Sequence, residues 1–356
     1  MSQAQRKALP AKLIIQAGRW VWTTLWQIMM SQMAPSARSG EYLRPESQFR
    51  HSVGEAINGE VGSDAVYPVA AGRYRLLVGL GCPWAHRTLI VRALKGLEEV
   101  ISVSVVSPSP EAGGWVFEQP EVGCKTVKDL YELAQPGYTG RCTVPVLWDT
   151  QQQAIVNNES AEIIIILNNA FNTFARYPEY DLYPIELRQE IDDWNEKTYH
   201  SVNNGVYRCG FAQTQTAYES ACRELFTTLD EIDQALATRR YLCGDAVTLA
   251  DVRLFTTLFR FDVVYYSLFK CNRRRIQDYP QLSGYLRDLY QLPGVAATCN
   301  LEAVKRDYYG NLFPLNPGGL IPIGPEIDLN QPHDRERLTS TEALGIDANT
   351  RLQNRL

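Results

Sequence analysis

The chain lacks a basic excess. Its 35 Lys and Arg are outnumbered by 40 Asp and Glu, giving a formal charge of −5 and a pI near 5.6. Such a surface argues against a general nucleic-acid binder. It also lacks the CxxC…CxxC spacing of a zinc site. Its eight cysteines, at 82, 124, 142, 209, 222, 243, 271 and 299, are too dispersed over 356 residues to form the dense disulfide framework of a small secreted domain. Free thiols in a reducing compartment are expected, most of them inert core residues. A membrane-spanning run is missing as well. The apolar stretch Trp20–Met30 is about half of the ~20 residues needed to cross a bilayer. Lys7, Lys12 and Arg19 precede it, as in a signal peptide, but the leader is long and has no clean A-x-A cleavage site. An amphipathic helix that packs on the body or touches a membrane surface is the preferred reading, in a soluble, cytoplasmic protein.

What is present is enough apolar material, 45% of the residues, to fill two domain cores. The 19 Tyr and 7 Trp serve packing, or in part a pocket for a flat substrate. Residues 1–72 read as an N-terminal extension, a short amphipathic helix followed by an irregular stretch rich in Pro, Gly and Ser from 35 onward. Arg73–Gly79 suits a strand, Cys82–Leu97 a helix with apolar residues at helical spacing, and Val100–Val106 a second strand. Such a unit implies a parallel pair. Residues 107–142, punctuated by Gly113, Gly114, Pro120, Pro136, Gly137 and Gly140, read as a long insertion, functional or disordered. Thr143–Trp148 returns to strand, and Asn158 and Ser160 offer capping chemistry for a helix from about Ala161 to Asn169. Long helical patterns follow over Ile185–Tyr199, Ala217–Ala237, Thr248–Tyr266 and Gln281–Leu289. Thr248 and Asp251 are spaced as a capping box. The boundaries expected are an α/β domain over 73–175, an all-helical domain over 176–315, and a polar arm with a disordered tail over 316–356.

The chemistry centres on Gly81-Cys82-Pro83-Trp84-Ala85-His86-Arg87, where a strand gives way to a helix. Pro83 fits the first helical turn because its missing N–H is not needed there. Cys82 then falls at the N-cap, facing unpaired N–H groups and the positive end of the helix dipole. Both predict a lowered thiol pKa and a nucleophilic sulfur, against the competing reading of a buried, inert cysteine. Ala85 stands where a resolving cysteine would complete C-x-x-C, so an adduct on Cys82 has to be released by another thiol, Cys124 or Cys142 or, most simply, an external small one. His86, one turn on, either tunes the sulfur or packs. Arg87 reads as a structural or electrostatic partner. Pro145, inside a strand, is unusual. A cis Val144–Pro145 bond would explain it and leave the backbone of Val144 free to pair with an extended peptide. At the next helix start, Ser160 and adjacent N–H groups suit a carboxylate and Glu159 an ammonium.

Together, CPWAHR, the insertion with Gly113-Gly114-Trp115, the run Arg141 to Asp149, Asn157-Asn158-Glu159-Ser160, the Asn203–Ala212 block, Tyr308-Tyr309 and the Pro/Gly-rich arm resemble the glutathionyl-hydroquinone reductases, the Xi class of glutathione transferases. The resemblance spans roughly residues 40–325. It implies a thioredoxin-like domain followed by a helical glutathione-transferase domain, glutathione as co-substrate, no metal, and a homodimer. It implies glutathione contacts from Trp115, Arg141, Val144, Glu159 and Ser160. It also implies catalysis by Cys82 with Tyr207 and one of Tyr308 and Tyr309, between which the sequence does not choose. Two positions depart from the family pattern: Asp307, where His is usual, and Cys209, where a small residue is common. Two alternatives share parts of this pattern. An omega-like thiol transferase or dehydroascorbate reductase would share the nucleophile, and a non-catalytic thioredoxin-fold interaction module would not need it.

Overall fold

In this computed structural model, residues 10–54 and 67–338 are described. Of the arm and tail expected over 316–356, residues 339–356 lie outside them. Helix α1 (Ala11–Met33) opens the described chain. The α/β layer follows: β1 (Tyr74–Gly79), α2 (Pro83–Leu94), β2 (Ser102–Ser109), β3 (Gly114–Glu121), β4 (Cys124–Thr126), α3 (Val127–Ala134), β5 (Val146–Asp149), β6 (Ala154–Asn157) and α4 (Ser160–Asn169). The strands form one sheet in the order β4-β3-β2-β1-β5-β6. β1 pairs in parallel with β2, with Leu76 opposite Val103, and antiparallel with β5, with Leu76 opposite Leu147. Tyr74, Leu76, Leu77 and Val78 of β1 are all fully buried, as a central strand covered on both faces requires.

The strand–helix–strand expectation holds, but residues 107–142 are not an irregular insertion. β2 runs on to Ser109 and turns back into β3, pairing Val106 with Phe117 and Pro108 with Trp115. The Gly and Pro residues that read as loop signals mark the turns and the edge of an enlarged sheet. Thr126 and Asp129 cap α3 reciprocally: the Asp129 N–H donates to Thr126 Oγ1 at 3.0 Å and the Thr126 N–H to Asp129 Oδ2 at 2.9 Å.

The helical layer contains α5 (Arg188–Thr198), α6 (Gly205–Gly210), α7 (Gln215–Ala235), α8 (Leu249–Arg260), α9 (Leu282–Tyr290) and α10 (Leu301–Asn311). Two patterns that read as single long helices end in π-helical turns, Tyr199–Asn203 after α5 and Phe261–Tyr265 after α8. The Thr248–Asp251 capping box is present. Buried Asp251 accepts from the Thr248 N–H at 2.8 Å, the Leu242 N–H at 2.9 Å and the Tyr285 hydroxyl at 2.7 Å. Burial pushes its carboxyl up, against these donors. Helix α2 packs on β1, α4 and α8, so its N-terminus lies where the two layers meet. The arm after α10 returns over the helices and ends in buried Arg335, whose guanidinium donates to the carbonyls of Leu236, Arg239 and Arg240.

Candidate active site

Cys82 is the N-cap of α2, with extended backbone angles (φ −76°, ψ 120°) and Pro83 in the first turn. Its carbonyl accepts the first intrahelical bond, from the His86 N–H at 3.0 Å. Its Sγ lies 3.5 Å from the carbonyl oxygen of Val144, whose bond to Pro145 is cis, as expected. Two buried side chains from the helical layer clasp the residues just before it. Arg260 donates from Nε to Gly81 O at 2.9 Å and from Nη2 to Leu80 O at 3.2 Å. Asp307 Oδ2 accepts the Gly81 N–H at 3.1 Å. A Cβ on Gly81 would collide with that carboxylate, and one on Gly79 with the ring of Trp115. The strand end is therefore built from glycine because other side chains occupy the space.

The thiol pKa differs from the sequence-based expectation. Burial pushes Cys82 up from its ordinary value, outweighing the N–H groups of Ala85 and Trp84 and the cations of Arg260 and Arg44, which pull it down. The groups that favour a thiolate are in place, but desolvation is larger. His86 does not serve the sulfur directly. Its Nδ1 is 3.0 Å from Arg260 Nη1, and its Nε2 is 2.9 Å from Thr298 Oγ1. Burial, with Arg260 beside it, holds His86 well below its ordinary pKa. A neutral ring then accepts from Arg260 at Nδ1 and donates from Nε2, so His86 supports Arg260. Arg87 is buried with its guanidinium 4.5 Å from the ring centre of Trp84, and Arg44 lies 3.9 Å from the same centre.

A cavity of about 280 Å³ opens at Cys82. The structure brings Cys82, Trp115, Arg141, Val144, Glu159, Ser160, Tyr207 and Tyr308 together on its wall. Tyr309 is not among the lining residues: its hydroxyl is held by Ser267 and donates to Val263 O at 3.2 Å. Between the two candidate tyrosines, Tyr308 faces the cavity. Its hydroxyl is 2.5 Å from that of Tyr207 and 2.9 Å from that of Tyr265. Burial raises all three phenols above their ordinary value, so they are neutral donors at physiological pH. Across the cavity, Glu159 is the N-cap of α4. Burial works against its ionisation, but the Ala161 N–H, the Ser47 hydroxyl and the cations of Arg44 and Arg87 outweigh it and hold the carboxyl below its ordinary value. Ser47 Oγ donates to Glu159 Oε2 at 3.0 Å, and the Ala161 N–H to Oε1 at 3.1 Å.

A monothiol at one helix start, a neutral phenol pair and a capping carboxylate at a second helix start thus line one cavity. The model of the glutathione S-transferase N-terminal domain matches residues 81–170, and that of the C-terminal domain residues 215–288. The glutathionyl-hydroquinone reductase PcpF of Sphingobium chlorophenolicum is 46% identical over 312 residues, 86% of this chain and 94% of the relative. The glutathionyl-hydroquinone reductase YqjG of Escherichia coli is 44% identical over 325 residues, 89% of this chain and 97% of the relative. The chain belongs to the glutathionyl-hydroquinone reductases of the glutathione transferase superfamily. The glutathione-bound structure of YqjG superposes with a TM-score of 0.76 at 45% identity, covering 81% of this chain and 96% of that one. The Xi glutathione transferase of Phanerochaete chrysosporium gives 0.78 at 44% identity, covering 84% and 97%.

Several residues of this family member's cavity escaped the sequence reading. Met33, at the end of α1, lines it, as do Tyr42, Arg44, Pro45, Glu46 and Ser47 of the segment from 35 onward that read as an irregular approach. No periodicity marks the residues after 35, which are held by contacts distant in sequence, such as Arg44 with Trp84 and Ser47 with Asn158 and Glu159. Tyr265 reaches Tyr308 through the π-helical turn after α8, which shifts it off the helical register the sequence implies. Asp307 was noticed only as a departure from the family pattern; here it lines the cavity and holds Gly81. Cys209, the other departure, is buried in the core. All eight cysteines are free thiols, and among the described residues no cluster of three or more metal-ligating side chains occurs.

Proposed function

We propose that this chain reduces glutathionyl-hydroquinones to hydroquinones, with glutathione as co-substrate. The Cys82 thiolate attacks the glutathione sulfur of the conjugate. The new S–S bond leaves Cys82 as a mixed disulfide. The carbon–sulfur bond breaks, and its electron pair stays on the ring carbon, which takes up a proton. Tyr207 and Tyr308, neutral and hydrogen-bonded to each other, supply or relay that proton and hold the ring oxygen. A second glutathione thiolate then attacks the mixed disulfide, releasing oxidised glutathione and Cys82. Atoms and electrons balance: one conjugate and one glutathione give one hydroquinone and one oxidised glutathione. Ala85 carries no thiol to compete with that second glutathione.

Glutathione sits between Trp115, Arg141 and Val144, with its γ-glutamyl end on Glu159 and Ser160. The Glu159 carboxylate takes the ammonium, and the α4 N-terminus with the Ser160 hydroxyl takes the carboxylate. Residues 73–175 form the thioredoxin-like, glutathione-binding domain, 176–315 the substrate domain, and the protein works as a cytoplasmic homodimer. The observation that carries the reading is the shared cavity of a lone thiol and a phenol pair. With one equivalent of a glutathionyl-hydroquinone and no free glutathione, mass spectrometry should show a glutathione adduct on Cys82 and release of hydroquinone. Cys82→Ala should show neither and should not turn over; a fully active variant would sink the mechanism. Turnover of dehydroascorbate at the rate of the conjugate would instead favour an omega-like thiol transferase.

A further inference from the structure

Helix α1 rests on the body by the side that carries Trp26, Met30 and Met33, of which Met30 is fully buried. Its other side is largely open, with Trp22 touching the half-exposed ring of Phe313 at its edge, 6.5 Å between ring centres. Leu13, Ile14, Ile15, Trp20, Val21, Trp22, Leu25 and Ile28 are all between 44% and 71% exposed. At 100° per residue they fill an arc of roughly 220°. Lys12, Gln16, Arg19, Thr23 and Gln27 occupy the remainder.

Charge is segregated along the same stretch of sequence. Arg6, Lys7, Lys12, Arg19 and Arg38 are the ionisable side chains of the first 40 residues, which contain no Asp or Glu, in a chain whose net charge is −5. A lipid surface of negative charge meets both features at once, the basic side chains at its headgroups and the apolar face in its acyl chains. Among the described residues no helix is long and apolar enough to cross a membrane. Tryptophan, at positions 20 and 22 of the exposed side, favours the boundary between headgroups and acyl chains. We propose that α1 is an interfacial anchor that lies in the surface of an anionic lipid bilayer.

The helix ends at the active site. Met33, its last residue, lines the cavity of Cys82. Anchoring α1 therefore brings the cavity mouth to the lipid surface and favours conjugates whose ring is apolar enough to partition into the bilayer. This second step rests on the reductase reading above; the anchoring does not.

Flotation of the full chain with phosphatidylcholine vesicles containing phosphatidylglycerol tests the anchor, with pure phosphatidylcholine as the comparison. The wild type should float with the anionic vesicles and more weakly with the neutral ones, with a blue shift of tryptophan fluorescence. Leu13→Glu/Trp20→Glu/Ile28→Glu should lower the partition coefficient at least about tenfold, with turnover of a water-soluble conjugate unchanged. Lys12→Glu/Arg19→Glu, which keeps the apolar face, should lose its preference for anionic over neutral vesicles. A wild type that stays unbound, or a triple variant that floats as well as the wild type, would overturn the proposal. So would a triple variant that halves the mass in light scattering, since a second copy would then be what covers the face. Vesicle binding needs no catalysis, so its failure and a failure of the reductase reading are separate results.

Discussion

Cys82 is pulled in two directions, and the balance fixes its pH behaviour. Burial raises the thiol, while two amides and two arginines lower it by less. A raised thiol holds less thiolate at neutral pH than a free cysteine, whose pKa is about 8.5. Alkylation of Cys82 by iodoacetamide should therefore rise with pH through and beyond that value. A plateau below pH ~7 would show that the helix start prevails instead. Arg44→Gln removes one of the favourable cations and should slow labelling several-fold at fixed pH. The tyrosines give a second contrast. Tyr308→Phe breaks the links to Tyr207 and Tyr265 and should cut kcat about 100-fold. Tyr309→Phe, whose hydroxyl meets Val263 and Ser267, should cost about 1 kcal/mol of stability and leave kcat within about twofold. The position of Cys82 was legible because N-cap, proline and helix are neighbours in sequence. The direction of its pKa was not, because the groups that bury it come from elsewhere in the chain.

At the scale of elements, patterns that are strong and local were read correctly. β1, α2 and the Thr248 capping box each announce themselves within about a dozen residues. β3 did not, because its Gly and Pro punctuation and the lack of a period-two burial pattern hide a strand that pairing with β2 holds in place. The π-helical turns are invisible to a 3.6-residue period, yet one of them places Tyr265. The arm after α10 reads as polar with a disordered tail, and nothing in its pattern marks the residue that anchors it. Arg335 is 1% exposed and satisfies three carbonyls at the ends of α7 and the turn beyond it. Arg335→Ala should lower stability by about 3 kcal/mol, seen as a lower urea midpoint, with kcat for the conjugate little changed. A variant as stable as the wild type would mean the arm is merely laid on the surface.

For the whole molecule, the sequence already held the order of layers, strand–helix–strand units followed by long helices. It could not show that the site is closed from many distant parts of the chain. Residues 42–47, the β1–α2 junction, the start of α4, α6 and α10 are among those that meet around one cavity. Cysteine and tyrosine could be named in advance, but their common wall is a property of the docked layers.

The clasp on Gly81 sets a schedule for assembly. Arg260 and Asp307 reach that residue across 179 and 226 positions of chain. Contacts of such separation form late, after helices and hairpins that need no long loop closure. During refolding from urea, the far-UV helix signal should return before turnover of the conjugate does. The nucleophile thus becomes correctly aimed only when the last large piece of the protein has arrived, so partly folded chains carry a cysteine but not yet an enzyme.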